Sequence, residues 1–363
     1  MRRVLFDGEA FIRHRRSGIT RYLSELIHQF RASPALGVEP VTPYRWVANS
    51  HLADGSSDYT QIPLPGRLRP QLLGCLNTRL RRGSGDADLV HHSLYQKEAL
   101  ARWKGRRRVC TVHDFTFERF PELFGDTSGH LAAKAIFLER CDALICVSRT
   151  TFNDLERFHP GLDKPTFVVP HGVGEHFFEP EQVRIRRLPP RYLLYVGNRH
   201  PHKNVELLLR AFARVSVHEK DLHLVLVGAY LSDEDVQLRE LGIARRTLRL
   251  KVSDRELPWL YHQARAFVFP SLYEGFGLPV LEAMAAGCPV AVADADALVE
   301  LASEVALVFE RDDPDLLAEQ IERLLSDRAL ATRLREAGRT RARDFTWRLT
   351  AERTAAAYAQ ASA

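Results

Sequence analysis

The sequence has little of what a membrane-spanning or disulfide-built protein needs. Its longest apolar runs are stretches such as FVF (267–269) and PVAVA (289–293), far short of the roughly 20 apolar residues of a spanning helix. The opening MRRVLFDGEA carries no apolar signal-peptide core. Cysteines number five, Cys75, Cys110, Cys141, Cys146 and Cys288, an odd count with no C-x-x-C pair. Most lie inside apolar runs, the pattern of packed thiols in a reducing cytoplasm rather than of a disulfide scaffold or a metal knot. Low-complexity tracts and short-period repeats are absent, and 45% hydrophobic with 27% charged residues excludes wholesale disorder. The expected location is the cytoplasm.

What is present is enough chain for two domains. The 363 residues correspond to two cores at about 100–200 residues each. The formal charge of +5 is unevenly spread: residues 1–188 hold 28 basic and 21 acidic residues, and 189–363 hold 23 and 25. The first half is therefore suited to an anionic partner. Short apolar runs alternate with helix-period stretches throughout. VLF (4–6) precedes Ile19, Tyr22, Leu23, Leu26, Ile27 and Phe30, one face of a helix. Strand-like runs at 89–93, 107–114, 143–148 and 166–170 follow, with helix-like stretches at about 128–140 and 149–158 between the last three. The segment 179–190, EPEQVRIRRLPP, breaks the period and carries three prolines, the mark of a linker. The alternation restarts at RYLLYVG (191–197) and ends in a tail from Pro314 that reads as helices only. Strands alternating with helices predict parallel sheets, so the expected class is α/β. Ligands in such folds bind at the carboxyl ends of the strands.

Two stretches at strand ends stand out. In PSLYEGFGLPVLEAMAAGCPVAVAD (270–294), a strand runs into the turn Gly275-Phe276-Gly277 and then into a helix from Leu278, with Pro279 in its first turn and Gly287 as its stop. Backbone N–H groups at such a helix start form an anion site. Glu274 precedes the turn and Glu282 lies eight positions on. Two carboxylates flanking a phosphate cradle suit a ligand with hydroxyls on both sides of its phosphates; by local chemistry alone they can equally be a turn and a helix-surface glutamate. In YVGNRHPHKN (195–204), Gly197 allows close approach, and Arg199 and Lys203 can offset diphosphate charge.

The order S-x-x-E-G-F-G-L-P-x-L-E-A-M-A-A-G-x-P-V resembles, almost without a gap, the E-x7-E signature of the GT-B-fold retaining glycosyltransferases of family 4 (glycosyltransferase group 1). The resemblance implies two facing Rossmann-like domains with a C-terminal helical tail: an acceptor-side domain at 1–182, a nucleotide-sugar-binding domain at 190–343, and a final helix at 344–363 crossing back to the first. It implies that Glu274 contacts the transferred sugar, as nucleophile or as orienting group, and Glu282 the ribose diol. The turn Gly275, Phe276, Gly277 and Leu278, with Gly197 opposite, would hold the diphosphate beside Lys203. The family often has arginine where Asn198 stands, and Arg199 is the expected substitute. SGITRY (17–22) resembles the glycine-bearing loop between the first strand and first helix, with Gly18 closing over the diphosphate. His113 in HDF matches a position near the donor sugar. Ser148, and His171 where the family commonly has asparagine, match further landmarks. Glu300 in ADADALVEL (293–301) matches the acid of a family segment whose usual proline and glycines are absent here.

The implied reaction moves a hexose from a nucleotide diphosphate sugar to a hydroxyl acceptor with retention. SGITRY, VHDFTFERFP and VGNRHPHKN look most like bacterial mannosyltransferases of polysaccharide assembly, which favours GDP-mannose over UDP-sugars and a glycan or lipid-linked oligosaccharide as acceptor. No resident cofactor and no metal are expected: the two D-x-D pairs, 86–88 and 294–296, fall in different domains, and the cations already balance the diphosphate. The segment 67–82, RLRPQLLGCLNTRLRR, sets leucines on one helical face between arginines, as peripheral membrane helices do, or as a helix packed on its own domain does. Rival readings are a GT-B sugar phosphorylase, a nucleotide-sugar epimerase and a non-catalytic sugar-nucleotide sensor. A nucleic-acid binder is disfavoured, because its basic stretches carry almost no interleaved aromatics.

Overall fold

The computed structural model describes residues 1–54, 58–62, 69–77, 86–102, 106–229 and 234–361. The chain forms two compact units, one of Met1–Gly172 with Trp347–Ala363 and one of Val173–Thr346. Each contains one six-stranded parallel sheet.

In the first unit the strands are β1 (Arg2–Phe6), β2 (Val38–Val41), β5 (Leu89–His92), β6 (Arg107–Val112), β7 (Ala143–Cys146) and β8 (Thr166–Val168), in the order β2-β1-β5-β6-β7-β8. Two short strands, β3 (Trp46–Val47) and β4 (Thr60–Gln61), pair beside it; β2 to β4 carry no apolar run long enough to announce them. β5 and β7 are buried along their whole length; β7 therefore reads as a continuous apolar run, whereas β5 ends in two histidines that are hydrogen-bonded, His91 to Thr111 and His92 to Asp7. The helix Gly18–Ala32 buries Tyr22, Leu23, Leu26, Ile27 and Phe30. Its start is fixed by a capping box: Thr20 N–H donates to Ser17 Oγ at 3.2 Å and Ser17 N–H to Thr20 Oγ1 at 3.0 Å. Ser148, another landmark, caps the helix Arg149–Phe158 by accepting from Thr151 N–H at 2.9 Å.

In the second unit the strands are β9 (Tyr192–Val196), β10 (His223–Val227), β11 (Thr247–Leu250), β12 (Ala266–Phe269), β13 (Val290–Ala293) and β14 (Leu307–Phe309), in the order β11-β10-β9-β12-β13-β14. Strand order reverses between β9 and β12 here, and between β1 and β5 in the first unit. Such a reversal leaves a crevice at the carboxyl ends of the two central strands.

The division differs from the boundary drawn at the polar segment 179–190. It falls earlier, at Gly172–Val173, because the chain from Val173 is already tied to the second unit. Val173 N–H donates to Phe345 O at 3.0 Å, Phe177 packs against Tyr261, and Arg255 pairs with Glu181 at 2.6 Å. The last helix, Trp347–Ala361, belongs to the first unit, where Thr350 Oγ1 donates to Pro170 O at 2.9 Å. Four cysteines are buried free thiols as expected; Cys75, on the short helix Arg69–Leu76, is exposed. On that helix Leu73 is buried while Leu72 and Leu76 are each 45% exposed. Arg67, Leu68, Arg79, Leu80, Arg81 and Arg82 of the basic segment lie outside the described residues. Among the described residues no helix is long and apolar enough to cross a membrane.

Candidate active site

The crevice between β9 and β12 collects the two most suggestive sequence stretches. After β9 the chain makes a short 3-10 turn, Pro201–Lys203, and leaves it through Asn204 in the left-handed region (φ 51). After β12 it runs through 270–277 into the helix Leu278–Ala285, whose N-cap Gly277 has φ 111. Its backbone angle favours glycine, and a Cβ on Gly277 would also sit 2.9 Å from the Leu298 side chain. The two loops are stitched together. Leu272 N–H donates to His202 O at 2.8 Å, and Lys203 Nζ contacts Glu274 Oε1 at 2.6 Å. Both side chains are largely shielded, 14% and 12% exposed, so their attraction is less screened than that of a surface pair. Arg311, just past β14, ties in the neighbouring ends: it donates to Asp294 Oδ1 at 2.8 Å and to Leu272 O at 3.0 Å, and Asn204 Nδ2 donates to Arg311 O at 2.7 Å.

The remaining donor-side residues are placed differently from expectation. Arg199 does not join Lys203. Its side chain is 3% exposed; Nε donates to Glu234 Oε1 at 2.8 Å, and one terminal nitrogen donates to Gly197 O at 2.7 Å. Arg199 is thus an enclosed cation rather than the open one expected as a substitute for the family arginine: a carboxylate and the backbone hold Nε and one terminal nitrogen, and the other terminal nitrogen is buried without a hydrogen-bond partner among the described residues. Asn198, at that family position, is exposed. Glu282 is 6% exposed, and its Oε2 accepts from Tyr261 O–H at 3.2 Å. Gly275 and Phe276 are buried, and the Phe276 ring meets Phe345 edge-on at 6.0 Å; what this part of the turn offers a ligand is backbone, not side chain. Leu278 is the first residue of the helix. Gly197 lies against the next turn: its N–H donates to Val227 O at 3.0 Å, and a Cβ on Gly228 would come within 2.1 Å of Gly197 O.

In the first unit the crevice lies between β1 and β5. There Asp7 Oδ2 accepts from His92 Nδ1 at 2.7 Å, both residues being buried, and Asp7 Oδ1 accepts from Glu9 N–H at 3.1 Å. Gly18 is not in a loop directly after the first strand. A short helix, Glu9–Arg13, intervenes, and Gly18 is an exposed residue of the first turn of the next helix. The glycine that the first turn demands is Gly8: its φ is 77, and a Cβ there would sit 2.5 Å from the Tyr44 ring. His113, past the end of β6, meets Tyr22 edge-on at 5.6 Å and lies 6.0 Å from His171. Burial pushes the His113 pKa down to about 4, Lys134 pushing the same way and Asp114 opposing. His171 is lowered well below its usual value by burial and then by His113. His91 is lowered to about 3, chiefly by burial, and bonds to Thr111 Oγ1 at 2.8 Å and to Tyr358 O–H. These histidines are therefore neutral near pH 7.

Both D-x-D pairs are engaged. Asp88 accepts from Arg3 N–H at 2.8 Å and Asp86 faces the Arg3 guanidinium at 3.4 Å, while Asp294 is held by Arg311. Among the described residues no group of three or more His, Cys, Asp or Glu is placed to hold a metal ion.

Residues 16–177 match the family model Glycosyltransferase Family 4, and residues 179–341 match the model Glycosyl transferases group 1. The chain belongs to these glycosyltransferases. It is 35% identical over 172 residues to the O-antigen chain mannosyltransferase B of Escherichia coli, covering 46% of this chain and 45% of that protein. It is also 35% identical over 227 residues to the MMP alpha-(1->4)-mannosyltransferase of Mycolicibacterium hassiacum, covering 61% of this chain and 54% of that one. The chain thus spans about half the length of these curated relatives. The sucrose-phosphate synthase of Thermosynechococcus elongatus superposes with a TM-score of 0.77 over 99% of both chains at 21% identity, a likeness of fold. The architecture of this glycosyltransferase, two parallel-sheet Rossmann-like units with a helical tail, is GT-B. Glu234, Arg311, Gly8 and Gly228 were not singled out from the sequence; only Gly228 left a signal there, closing LVLVG after β10 as Gly197 closes YLLYVG after β9.

Proposed function

We propose that this chain transfers mannose from GDP-mannose to a hydroxyl of a glycan or lipid-linked oligosaccharide, with retention and without a metal ion. The observation that carries the reading is the Lys203–Glu274 contact of 2.6 Å at the strand-order reversal, beside the start of the helix Leu278–Ala285. A shielded ammonium next to a glycine-spaced turn that opens a helix suits a diphosphate. A carboxylate beside it suits sugar hydroxyls. In the reaction the bond from the anomeric carbon to the diphosphate oxygen breaks and its electron pair stays on that oxygen. The acceptor oxygen bonds to the anomeric carbon, and its proton passes to the diphosphate. Lys203 balances the charge that develops, and Glu274 holds the sugar. Neutral His113 can donate a hydrogen bond to a sugar oxygen, and Glu282 is the candidate partner of the ribose. The mannosyltransferase names of the relatives favour mannose.

Metal independence rests on Asp86 and Asp88 facing Arg3 and on Asp294 pairing with Arg311. For the acceptor, the surplus of basic residues in 1–188 and the half-exposed Leu72 and Leu76 favour work at an anionic membrane surface. The reading is tested by a thermal-shift panel of GDP, UDP, ADP and dTDP, followed by transfer from GDP-mannose in excess EDTA with the product anomer read by NMR. GDP is expected to give the largest shift and the product to keep the donor's configuration. A response to none of the nucleotides overturns the reading; transfer that stops in EDTA overturns metal independence. Co-sedimentation with vesicles containing phosphatidylglycerol, against neutral vesicles, tests the membrane surface.

A further inference from the structure

We infer that Arg199 is a positioning residue: it locks the turns after β9 and β10 so that Lys203 is held in place, and it gives no charge to the ligand. Its effect on ligand binding rests on the function proposed above.

Five observations converge on one carbonyl and its surroundings. Gly197 O accepts from the Arg199 guanidinium at 2.7 Å, and the same nitrogen lies 3.4 Å from Val227 O. Gly197 N–H donates to Val227 O at 3.0 Å, so the two turns are joined by backbone as well. A Cβ on Gly228, itself at φ 118, would overlap Gly197 O, so the turns touch with no room to slide. The guanidinium carbon stands 4.9 Å from the centroid of the Tyr195 ring, whose O–H donates to Asn198 O at 2.7 Å. Finally, Nε is held by Glu234 on the helix Glu234–Glu240. One planar fork thus bridges three segments, an arrangement that a lysine cannot reproduce.

The charges say what this fork is for. Arg199 and Glu234 are 3% and 5% exposed, and a buried ion pair contributes little to stability compared with apolar side chains of the same volume. Its worth lies in geometry. Glu234 neutralises the guanidinium and also faces Arg249 at 3.5 Å, and Arg249 pairs with Asp235. A cation so balanced has little field left for a diphosphate. Lys203, six positions on from the pinned Gly197 carbonyl by way of Arg199 and the 3-10 turn, also has a carboxylate partner in Glu274 but is 14% exposed against 3% for Arg199.

The test compares Arg199→Gln, Glu234→Gln, their combination, and the apolar double variant Arg199→Met/Glu234→Leu, using the full chain. Amide hydrogen exchange over 197–204 is read without ligand, and GDP and UDP affinities are read by calorimetry. The single variants are expected to weaken nucleotide binding about tenfold each, with the combination no worse than either, as for residues acting as one unit. The apolar double variant is expected to melt at or above wild type yet exchange the 197–204 amides at least about tenfold faster. A merely structural pair would leave that exchange unchanged once stability is restored, and that result overturns the inference. So does tighter or unaltered nucleotide binding by Glu234→Gln beside weaker binding by Arg199→Gln, because a cation on the phosphates gains when its carboxylate is removed. If wild type binds neither GDP nor UDP, the proposed function fails, and the exchange comparison alone decides for or against the clamp.

Discussion

The two units solve the same topological problem with different side chains. Each has a parallel sheet whose strand order reverses once, and at each reversal a carboxylate meets a basic side chain from the neighbouring strand end: Asp7 with His92 in the first unit, Glu274 with Lys203 in the second. In the first unit the pair is fully buried, and the neighbouring strand ends carry neutral histidines, His91, His113 and His171, beside the ion pairs of Glu9 with Arg102 and of Lys134 with Glu118. In the second unit the strand ends are laced with ion pairs, Arg199–Glu234, Lys203–Glu274 and Arg311–Asp294. The fold does not dictate this difference. It supplies a crevice, and the side chains decide whether that crevice meets charge or hydroxyl groups. The function proposed above assigns the diphosphate to the second set.

The comparison breaks most easily at Lys203 and Glu274. Glu274→Ala is expected to reduce transfer by about a thousandfold or more while GDP binding stays the same or tightens, since Lys203 is released. Lys203→Ala is expected to lose transfer and GDP affinity together. Calorimetry with initial rates separates the two, and equal loss of GDP affinity in both variants would remove the sugar-side role of Glu274.

The next effect is in stability against pH. His91 and His113 have folded pKa values of about 3 and about 4, below the ordinary 6.5, so the unfolded chain binds more protons in the interval between. Their contribution is complete above pH 6.5 and is lost as pH falls toward 4. The slope is about 1.4 kcal/mol per pH unit for each histidine. Hydrogen exchange at pH 7.5, 6.0 and 5.0 should show the first unit losing protection before the second. Parallel loss in both would mean that the histidines are not what distinguishes the units.

A smaller effect is expected from Gly228→Ala. Its Cβ would overlap Gly197 O and its φ of 118 disfavours any side chain; the cost is about 2 kcal/mol or more, read from urea denaturation as an earlier loss of the second unit. The smallest is Glu181→Gln. It removes the exposed pair with Arg255, and the melting temperature should not move measurably.

The units themselves were legible in the sequence because buried parallel strands are short apolar runs, and these are visible one at a time. The helices 128–140 and 149–158 emerge where the 3.6-residue period places them. The motif 270–294 was legible because it is long. Contacts between loops were not: Lys203 and Glu274 lie 71 positions apart, and Arg199 and Glu234 lie 35 apart. Their partnership follows from β9 lying beside β10 and β12, a register that no local period encodes. The same limit hid the difference between Arg199 and Lys203. Both look like solvated cations before a helix, and only the sheet order reveals that one is enclosed and the other faces the crevice carboxylate. Gly8 was overlooked for another reason. The space for a side chain there is closed by Tyr44, which arrives from beyond β2.

The path of the chain carries one more consequence. Both ends of the second unit leave from one place, where Val173 N–H meets Phe345 O and Val173 bridges Thr346. The second unit is therefore an insertion in the first, and the inserted part has all its sequence in one continuous piece. The first unit does not: His91 waits for Tyr358, 267 positions later. During synthesis the inner unit can fold as soon as it emerges, whereas the outer one stays open until its last helix is made. The half that starts first at the ribosome is the half that finishes last.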